Sequence, residues 1–166
     1  MRSRRRALSS LPSSLFAALT SRLPGRTPAP GDPGSPTAPP ALDIVDETFI
    51  AVPPSTVAAA FADPRSWTLY WPDLVLEVYT DRGDEGLRWT VRGALVGTME
   101  IWLEPVLDGT LLHYFLRASP HGSPTPRMLR REFDRRARAA KAIALELKNV
   151  LEDGRAAGIP PRHESI

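Results

Sequence analysis

The 166-residue sequence contains no cysteine and only three histidines. The absence of cysteine excludes disulfide bonds, thiolate zinc sites, iron–sulfur clusters and a cysteine nucleophile. The histidines are scattered along the chain, which argues against a histidine-rich metal site. No apolar run approaches the roughly 18 residues that a membrane-spanning helix needs. Phosphate-binding loops, nucleophile elbows and dinucleotide fingerprints are also missing, so we expect neither a metal nor a cofactor.

Proline and charge divide the chain into two parts. Eight of the 18 prolines fall in the first 40 residues, together with six arginines and a single acid. That segment carries a formal charge of +5, whereas residues 41–166 carry −3. A slightly acidic folded part is a poor candidate for a nucleic-acid surface, so we expect no nucleic-acid partner. The composition predicts a disordered basic extension at 1–41, a folded domain at 42–154 and a flexible tail at 155–166.

Three interpretations of the basic extension remain open. Leucines recur at helical spacing after its arginine run, as in an amphipathic helix at a membrane surface. An export signal is the second interpretation, although the apolar run is thin and contains Pro12. An unstructured extension is the third, and the composition favours it. We therefore expect a cytoplasmic protein, with a membrane-peripheral location through the extension as the alternative.

Local patterns in the folded part predict strands separated by short turns, with helices after the first strand and at the end. The extended segments alternate apolar and polar residues, and Asp108-Gly109 is a typical hairpin turn, which favours an antiparallel meander. The predicted strands are 42–52, 74–80, 87–92, 96–103 and 110–118. The predicted helices are a short one at 55–62 and a long one at about 126–152, with a short aromatic segment at 65–71.

The long helix presents one apolar face to the sheet. Its apolar positions recur every three or four residues, at Leu129, Phe133, Ala137, Ala140, Ala144, Leu147 and Leu151. One amphipathic helix on one face of an antiparallel sheet predicts an α+β fold. The alanines in the middle of the face indicate either close contact with the sheet or a space for a ligand. Because protein interiors are normally filled, the pattern alone favours close contact.

The segment 57–73 resembles the opening of the START-like polyketide cyclase/dehydrase and lipid transport superfamily. The matching residues are Val57, Phe61, Asp63-Pro64, Trp67 and Trp71-Pro72-Asp73. The Asp-Gly-Thr turn at 108–110 and the terminal long helix also match, so the resemblance covers roughly 42–152. Members usually have six or seven strands, whereas five are clear here. An extra break at Gly93 or Gly97, within 86–104, is one account of the difference.

The resemblance implies a helix-grip fold, in which a curved sheet wraps around the long helix and leaves an apolar cavity between them. It makes room for a ligand the better interpretation of the alanines. The implied function is binding of a hydrophobic small molecule, such as a lipid, a polyketide or a quinone. The pocket residues that we expect are Trp67, Trp71, Trp89, Val91, Met99, Ile101, Phe115, Phe133, Ala137, Ala140 and Ala144.

A polyketide cyclase or dehydratase that uses the same cavity is the alternative. His113 and Arg117, in the last strand, are its candidate acid/base and oxyanion-binding groups. This mechanism requires the odd-numbered residues of that strand to face the cavity. The even-numbered residues are more apolar, which favours the opposite orientation with His113 in solvent.

An interaction domain with a filled core is the third hypothesis. Arg136, at the edge of the helix face, is either a solvated residue or a ligand for a carboxylate.

Overall fold

The computed structural model describes residues 39–155. The predicted basic extension lies outside the described residues except for its last three positions, and the predicted tail lies outside them except for its first. Five strands and three α-helices make up the described chain, and a short 3₁₀ turn covers Gly83–Glu85. The strands are β1 (Leu42–Ile50), β2 (Leu74–Asp81), β3 (Gly86–Gly93), β4 (Leu95–Val106) and β5 (Gly109–Pro120). The helices are α1 (Pro54–Ala62), α2 (Pro64–Tyr70) and α3 (Pro126–Leu151).

The strands form one curved antiparallel sheet in the order β1-β5-β4-β3-β2. The last strand therefore lies beside the first, which the chain order alone did not reveal. Five strands were predicted, and five are present in the described chain. Gly97 does not divide another strand, because β4 continues through it from Leu95 to Val106.

Two prolines and one aspartate account for the short helices. Pro54 and Pro64 each occupy the first turn of a helix, where the missing N–H costs nothing. Asp63 ends α1 and begins α2, and its carboxylate accepts a hydrogen bond from the backbone N–H of Arg65 at 2.9 Å. The aromatic segment that the sequence indicated at 65–71 is thus the second helix.

The long helix α3 lies on the inner face of the sheet and runs beside β1. Thr125 caps its first turn by accepting from the N–H of Met128 at 3.3 Å. The side chains that α3 buries are Arg136, Ala140, Ala144 and Leu147. Alternate residues of the strands complete the core, as the period of two predicts. None of the helices within residues 39–155 has both the length and the apolar character needed to cross a membrane.

The only two lysines of the sequence fasten α3 to the edge strand β1. Lys141 donates to the backbone oxygen of Glu47 at 2.8 Å, and Lys148 donates to that of Phe49 at 2.9 Å. Their spacing of seven residues spans two helical turns, so both point the same way. β1 is an edge strand of the sheet, so the backbone oxygens on its outer side have no partner strand in the described chain. The two lysines donate to these oxygens instead.

Candidate functional site

The apolar space between the sheet and α3 is nearly filled. A cavity of about 10 Å³ remains there. Its lining residues are Phe61, Trp71, Ile101, Leu112, Tyr114, Ala140, Ile143, Ala144 and Leu147. A volume of this size holds one water molecule, whereas sites for small molecules enclose roughly 300–1,000 Å³. The alanines of α3 therefore bring the helix close to the sheet in this conformation.

Aromatic rings occupy much of the space on the inner face. Trp71 stacks on Tyr114 with ring centres 6.3 Å apart, and its other neighbours include Tyr70 and Trp89. Trp67 packs edge-on against Trp89 at 5.4 Å. Burial raises the pKa of the Tyr114 phenol far above its usual range, so this group stays neutral. The wall is thus flat, uncharged and mainly apolar.

Two indole N–H groups in this wall lack an ordinary hydrogen bond. The Nε1 atoms of Trp71 and Trp89 are buried, and no acceptor within the described residues has hydrogen-bond geometry toward them. The N–H of Trp71 is nevertheless close enough to the Tyr114 phenol to lower the pKa of that phenol, which offsets part of the rise caused by burial. Trp89 has no such contact and is 0% exposed. A buried donor without an acceptor costs about 1–3 kcal/mol.

A buried arginine closes one end of the inner space. Arg136 is 4% exposed and forms a two-pronged ion pair with Asp73, at 2.8 Å and 2.7 Å. Its Nε donates to Glu132 at 2.8 Å. Burial alone would raise the pKa of Asp73, but hydrogen bonds from Arg136 and Arg135 outweigh it and lower that pKa. A hydrogen bond from Arg135 is the main reason why the pKa of Glu132 is also lowered. The guanidinium of Arg136 thus donates its hydrogen bonds to carboxylates of the same chain.

The inner face of β1 carries a second polar cluster below α3. Lys141 binds the carboxylate of Asp46 at 2.9 Å and the hydroxyl of Thr48 at 3.0 Å. Asp46 and Thr48 replace apolar residues at two consecutive inward positions of β1. This cluster and Arg136 together make the margins of the inner space polar and its centre apolar.

His113 lies on the outer face of the sheet, on the far side from α3. The cavity is lined by Leu112 and Tyr114, so the even-numbered residues of β5 face inward. His113 is nevertheless only 6% exposed. Its Nδ1 lies 3.0 Å from Glu47 and its Nε2 lies 3.1 Å from Glu104, and its ring stacks on Trp102 at 4.4 Å. The structure therefore has the orientation that the apolar pattern of β5 favoured, with His113 on the outer face, but His113 is buried there rather than in solvent.

The outward orientation of β5 removes the proposed catalytic pair from the inner space. Arg117 is exposed on the outer face and pairs with Asp43 at 3.4 Å. Neither His113 nor Arg117 can reach a molecule held between the sheet and α3. The cyclase mechanism that we based on these two residues is therefore contradicted by the facing of the strand.

The predicted pocket residues fall into three groups. Trp71, Ile101, Ala140 and Ala144 line the small cavity. Five others belong to the core around it without lining it: Trp67, Trp89, Val91, Met99 and Ala137. Phe115 follows His113 by two positions in β5, so both side chains lie on the outer face, with ring centres 6.2 Å apart. Phe133 shares the helix face with the alanines but is 40% exposed, so that turn of α3 is not covered.

The list of expected pocket residues omitted several lining residues, and the sequence did not predict which carboxylate Arg136 binds. Leu112 and Tyr114 belong to the more apolar set of β5, so the strand alternation already contained the signal for them. Arg136 gave no such signal, because its partner Asp73 lies 63 positions earlier in the chain. The described residues contain no cluster of three or more His, Asp or Glu side chains arranged to hold a metal ion.

Comparisons with known proteins show the fold. No protein family and no curated protein matches the sequence. The Aha1 dimer of Colwellia psychrerythraea, a solution structure, aligns with a TM-score of 0.52 at 16% identity and covers 69% of this chain and 99% of its own. Protein Ms6760 of Mycobacterium smegmatis aligns with a TM-score of 0.52 at 13% identity, over 69% of this chain and 94% of its own. These likenesses and the element order confirm the predicted helix-grip fold.

Proposed function

We propose that this protein binds a hydrophobic small molecule between its sheet and α3. The observation that carries the proposal is the pair of indole N–H groups of Trp71 and Trp89, buried in an apolar wall without full hydrogen bonds. A ligand with a carbonyl or hydroxyl oxygen would satisfy them and would lay its apolar body against the aromatic rings. Lipids, polyketides and quinones all have such an oxygen, and a charged head group has no partner at the centre of the wall.

Binding requires α3 to move away from the sheet, because about 10 Å³ cannot hold such a molecule. We place the entry beside Phe133, whose side chain is 40% exposed, and opening there also requires the ion pairs of Arg135 and Arg136 with Asp73 to shift. The middle of the helix presents Ala140 and Ala144 beside Ile143, so an outward shift of the helix enlarges the space between these small side chains and the wall. The proposed setting is the cytoplasm, and membrane contact through the N-terminal extension remains the alternative.

A filled cavity should prevent binding. In the variant Ala144→Leu, three extra carbon atoms occupy the space between α3 and the wall, and we expect ligand binding to be lost. Ala142→Leu is the matched control, because Ala142 is exposed on the same helix. The full-length protein and both variants are heated with fatty acids, menaquinone analogues and a planar aromatic polyketide. A ligand present at about 100 times its Kd stabilises the protein by roughly 2.7 kcal/mol and raises the melting temperature.

We expect the ligand to raise the melting temperature of the parent protein and of Ala142→Leu, and to leave that of Ala144→Leu unchanged. Quenching of tryptophan fluorescence, measured in parallel, reports contact with the aromatic wall. The proposal fails if no compound of the panel changes the melting temperature or the fluorescence of the parent protein. It also fails if a ligand binds Ala144→Leu and the parent protein equally well, because the molecule then lies elsewhere.

A further inference from the structure

The helix α3 has an outward face, opposite the one that it packs against the sheet. The positions of this face recur every three or four residues, at 127, 131, 134, 138, 142, 145 and 149. All of these side chains are exposed, so nothing within residues 39–155 covers them. At 1.5 Å per residue the face is about 33 Å long. We name it the outer α3 face.

The first half of the outer α3 face carries arginines that lack ion-pair partners. Arg127, Arg131 and Arg138 form no ion pair with any group of the described chain. Asp134 is the single acid among the positions of this face, and within residues 39–155 it pairs with none of the three arginines. Positive charge therefore predominates along this half of the face.

Neighbouring carboxylates do not neutralise these arginines, because other arginines bind them. Glu132 pairs with Arg135 at 2.6 Å and with Arg136 at 2.8 Å. Asp73 pairs with the same two arginines, at 3.0 Å and 2.7 Å. This cluster contains two cations and two anions, so it leaves the positive charge of the outer α3 face uncompensated.

Uncovered apolar side chains accompany the arginines. Leu145 lies on the outer α3 face and is 51% exposed. Met128 precedes Arg131 by three positions, which makes the two neighbours on the helix surface, and it is 58% exposed. The second half of the face carries no charge, since its other members are Ala142 and Asn149. Basic residues beside uncovered apolar ones are typical of helices that lie in a membrane interface.

We propose that the outer α3 face binds the surface of an anionic lipid bilayer. The three arginines then lie at the level of the lipid phosphates, while Leu145 and Met128 enter the headgroup region. A long, continuous face suits a flat partner. A nucleic acid would attract the arginines as well, but it would leave the uncharged second half of the face without a partner. The proposal does not depend on the ligand of the inner space.

The test is co-sedimentation of the full-length protein with vesicles of phosphatidylcholine and phosphatidylglycerol in equal parts, and with vesicles of phosphatidylcholine alone. We expect binding to the anionic vesicles that falls with added salt, and much weaker binding to the neutral ones. One basic residue near an anionic surface changes the affinity by roughly fivefold. The triple variant Arg127→Gln, Arg131→Gln, Arg138→Gln should therefore weaken binding to the anionic vesicles by about tenfold or more.

Two further variants separate contact through this face from general charge attraction. The control Arg65→Gln, Arg92→Gln, Arg117→Gln removes the same charge from exposed positions on α2, β3 and β5, and we expect it to bind as the parent protein does. The double variant Met128→Gln, Leu145→Gln should weaken binding about threefold or more, because these side chains no longer enter the headgroup region. All substituted side chains are exposed, and melting temperatures confirm that each variant is folded.

Four outcomes would overturn the proposal. The first is a parent protein that does not sediment with the anionic vesicles. The second is full binding by the triple variant of the outer α3 face, which would place the contact elsewhere, as in the basic N-terminal extension. The third is an equal loss in the control, which would indicate unspecific charge attraction. The fourth is unchanged binding by the double variant, since charge alone would then hold the surface and duplex DNA, added as competitor, would displace the vesicles.

Discussion

At the scale of single residues, two charged or polar side chains are buried where their type predicts exposure. Both ring nitrogens of His113 face carboxylates, from β1 and from β4, and its ring is covered by Trp102. Arg136 is buried by a fixed two-pronged contact with Asp73. In both cases the polar atoms are paired, which is the condition under which burial is tolerated.

Replacement of Arg136 should destabilise the fold more than replacement of its neighbour. We expect Arg136→Gln to lower the free energy of unfolding by about 2–3 kcal/mol, because it breaks a two-pronged ion pair in which the arginine is buried and the aspartate is partly exposed. Arg135 binds the same two carboxylates but has a half-exposed side chain, so Arg135→Gln should cost less than about 1 kcal/mol. Urea unfolding followed by circular dichroism measures both. Equal losses would show that burial does not set the strength of this cluster.

At the scale of elements, α3 is held to β1 by polar contacts as well as by its apolar face. Lys141 and Lys148 reach backbone oxygens of the strand, and Glu152, just beyond the helix, accepts from the N–H of Ala51 at 2.6 Å. These contacts lie along one edge of the sheet. They fix the helix on that side, and the ion pairs of Arg135 and Arg136 with Asp73 hold its first half.

Removal of both lysines should weaken this attachment. The double variant Lys141→Met, Lys148→Met leaves backbone oxygens of β1 without their donors, and we expect it to lose about 2 kcal/mol of unfolding free energy. The exposed strand edge should also promote self-association, seen as faster sedimentation. Arg138→Met is the control, because Arg138 is exposed on the same helix. A double variant as stable and monodisperse as Arg138→Met would contradict this role of the lysines.

At the scale of the whole molecule, three carboxylates make the fold sensitive to acid. Burial opposes ionisation of Asp73 and Glu152, but the cations beside them prevail and lower both pKa values. Hydrogen bonds, first that from Arg135, lower the pKa of Glu132. A carboxyl group with a lowered pKa in the folded state stabilises the fold above its ordinary pKa. That stabilisation is lost as the pH falls through the folded pKa.

We therefore expect the free energy of unfolding to fall as the pH is lowered from about 5 toward 2. Urea unfolding at several pH values measures the slope. Glu152→Gln should have a shallower slope over this range, because one of the three groups no longer titrates. Glu77→Gln, which replaces an exposed carboxylate on β2, is the control and should keep the parent slope. Stability that increases with acid, or an unchanged slope in Glu152→Gln, would refute the assignment.

The sequence by itself determined the elements and their class. The five strands and the long helix lie where the periods of two and of three to four residues predicted them, because these periods are local properties of the chain. The resemblance in 57–73 predicted the helix-grip arrangement, which the sheet order and the structural comparisons confirm. It did not predict the volume of the inner space.

Only the tertiary structure decided the features that bear on function. The alternation of β5 allowed two orientations, and the core selected the more apolar face, so His113 went outward. Its burial there depends on Glu47, Trp102 and Glu104, which come from two other strands. The ion pair of Arg136 with Asp73 arises in the same way. Each is a contact between residues far apart in the sequence, and a local sequence pattern cannot predict such contacts.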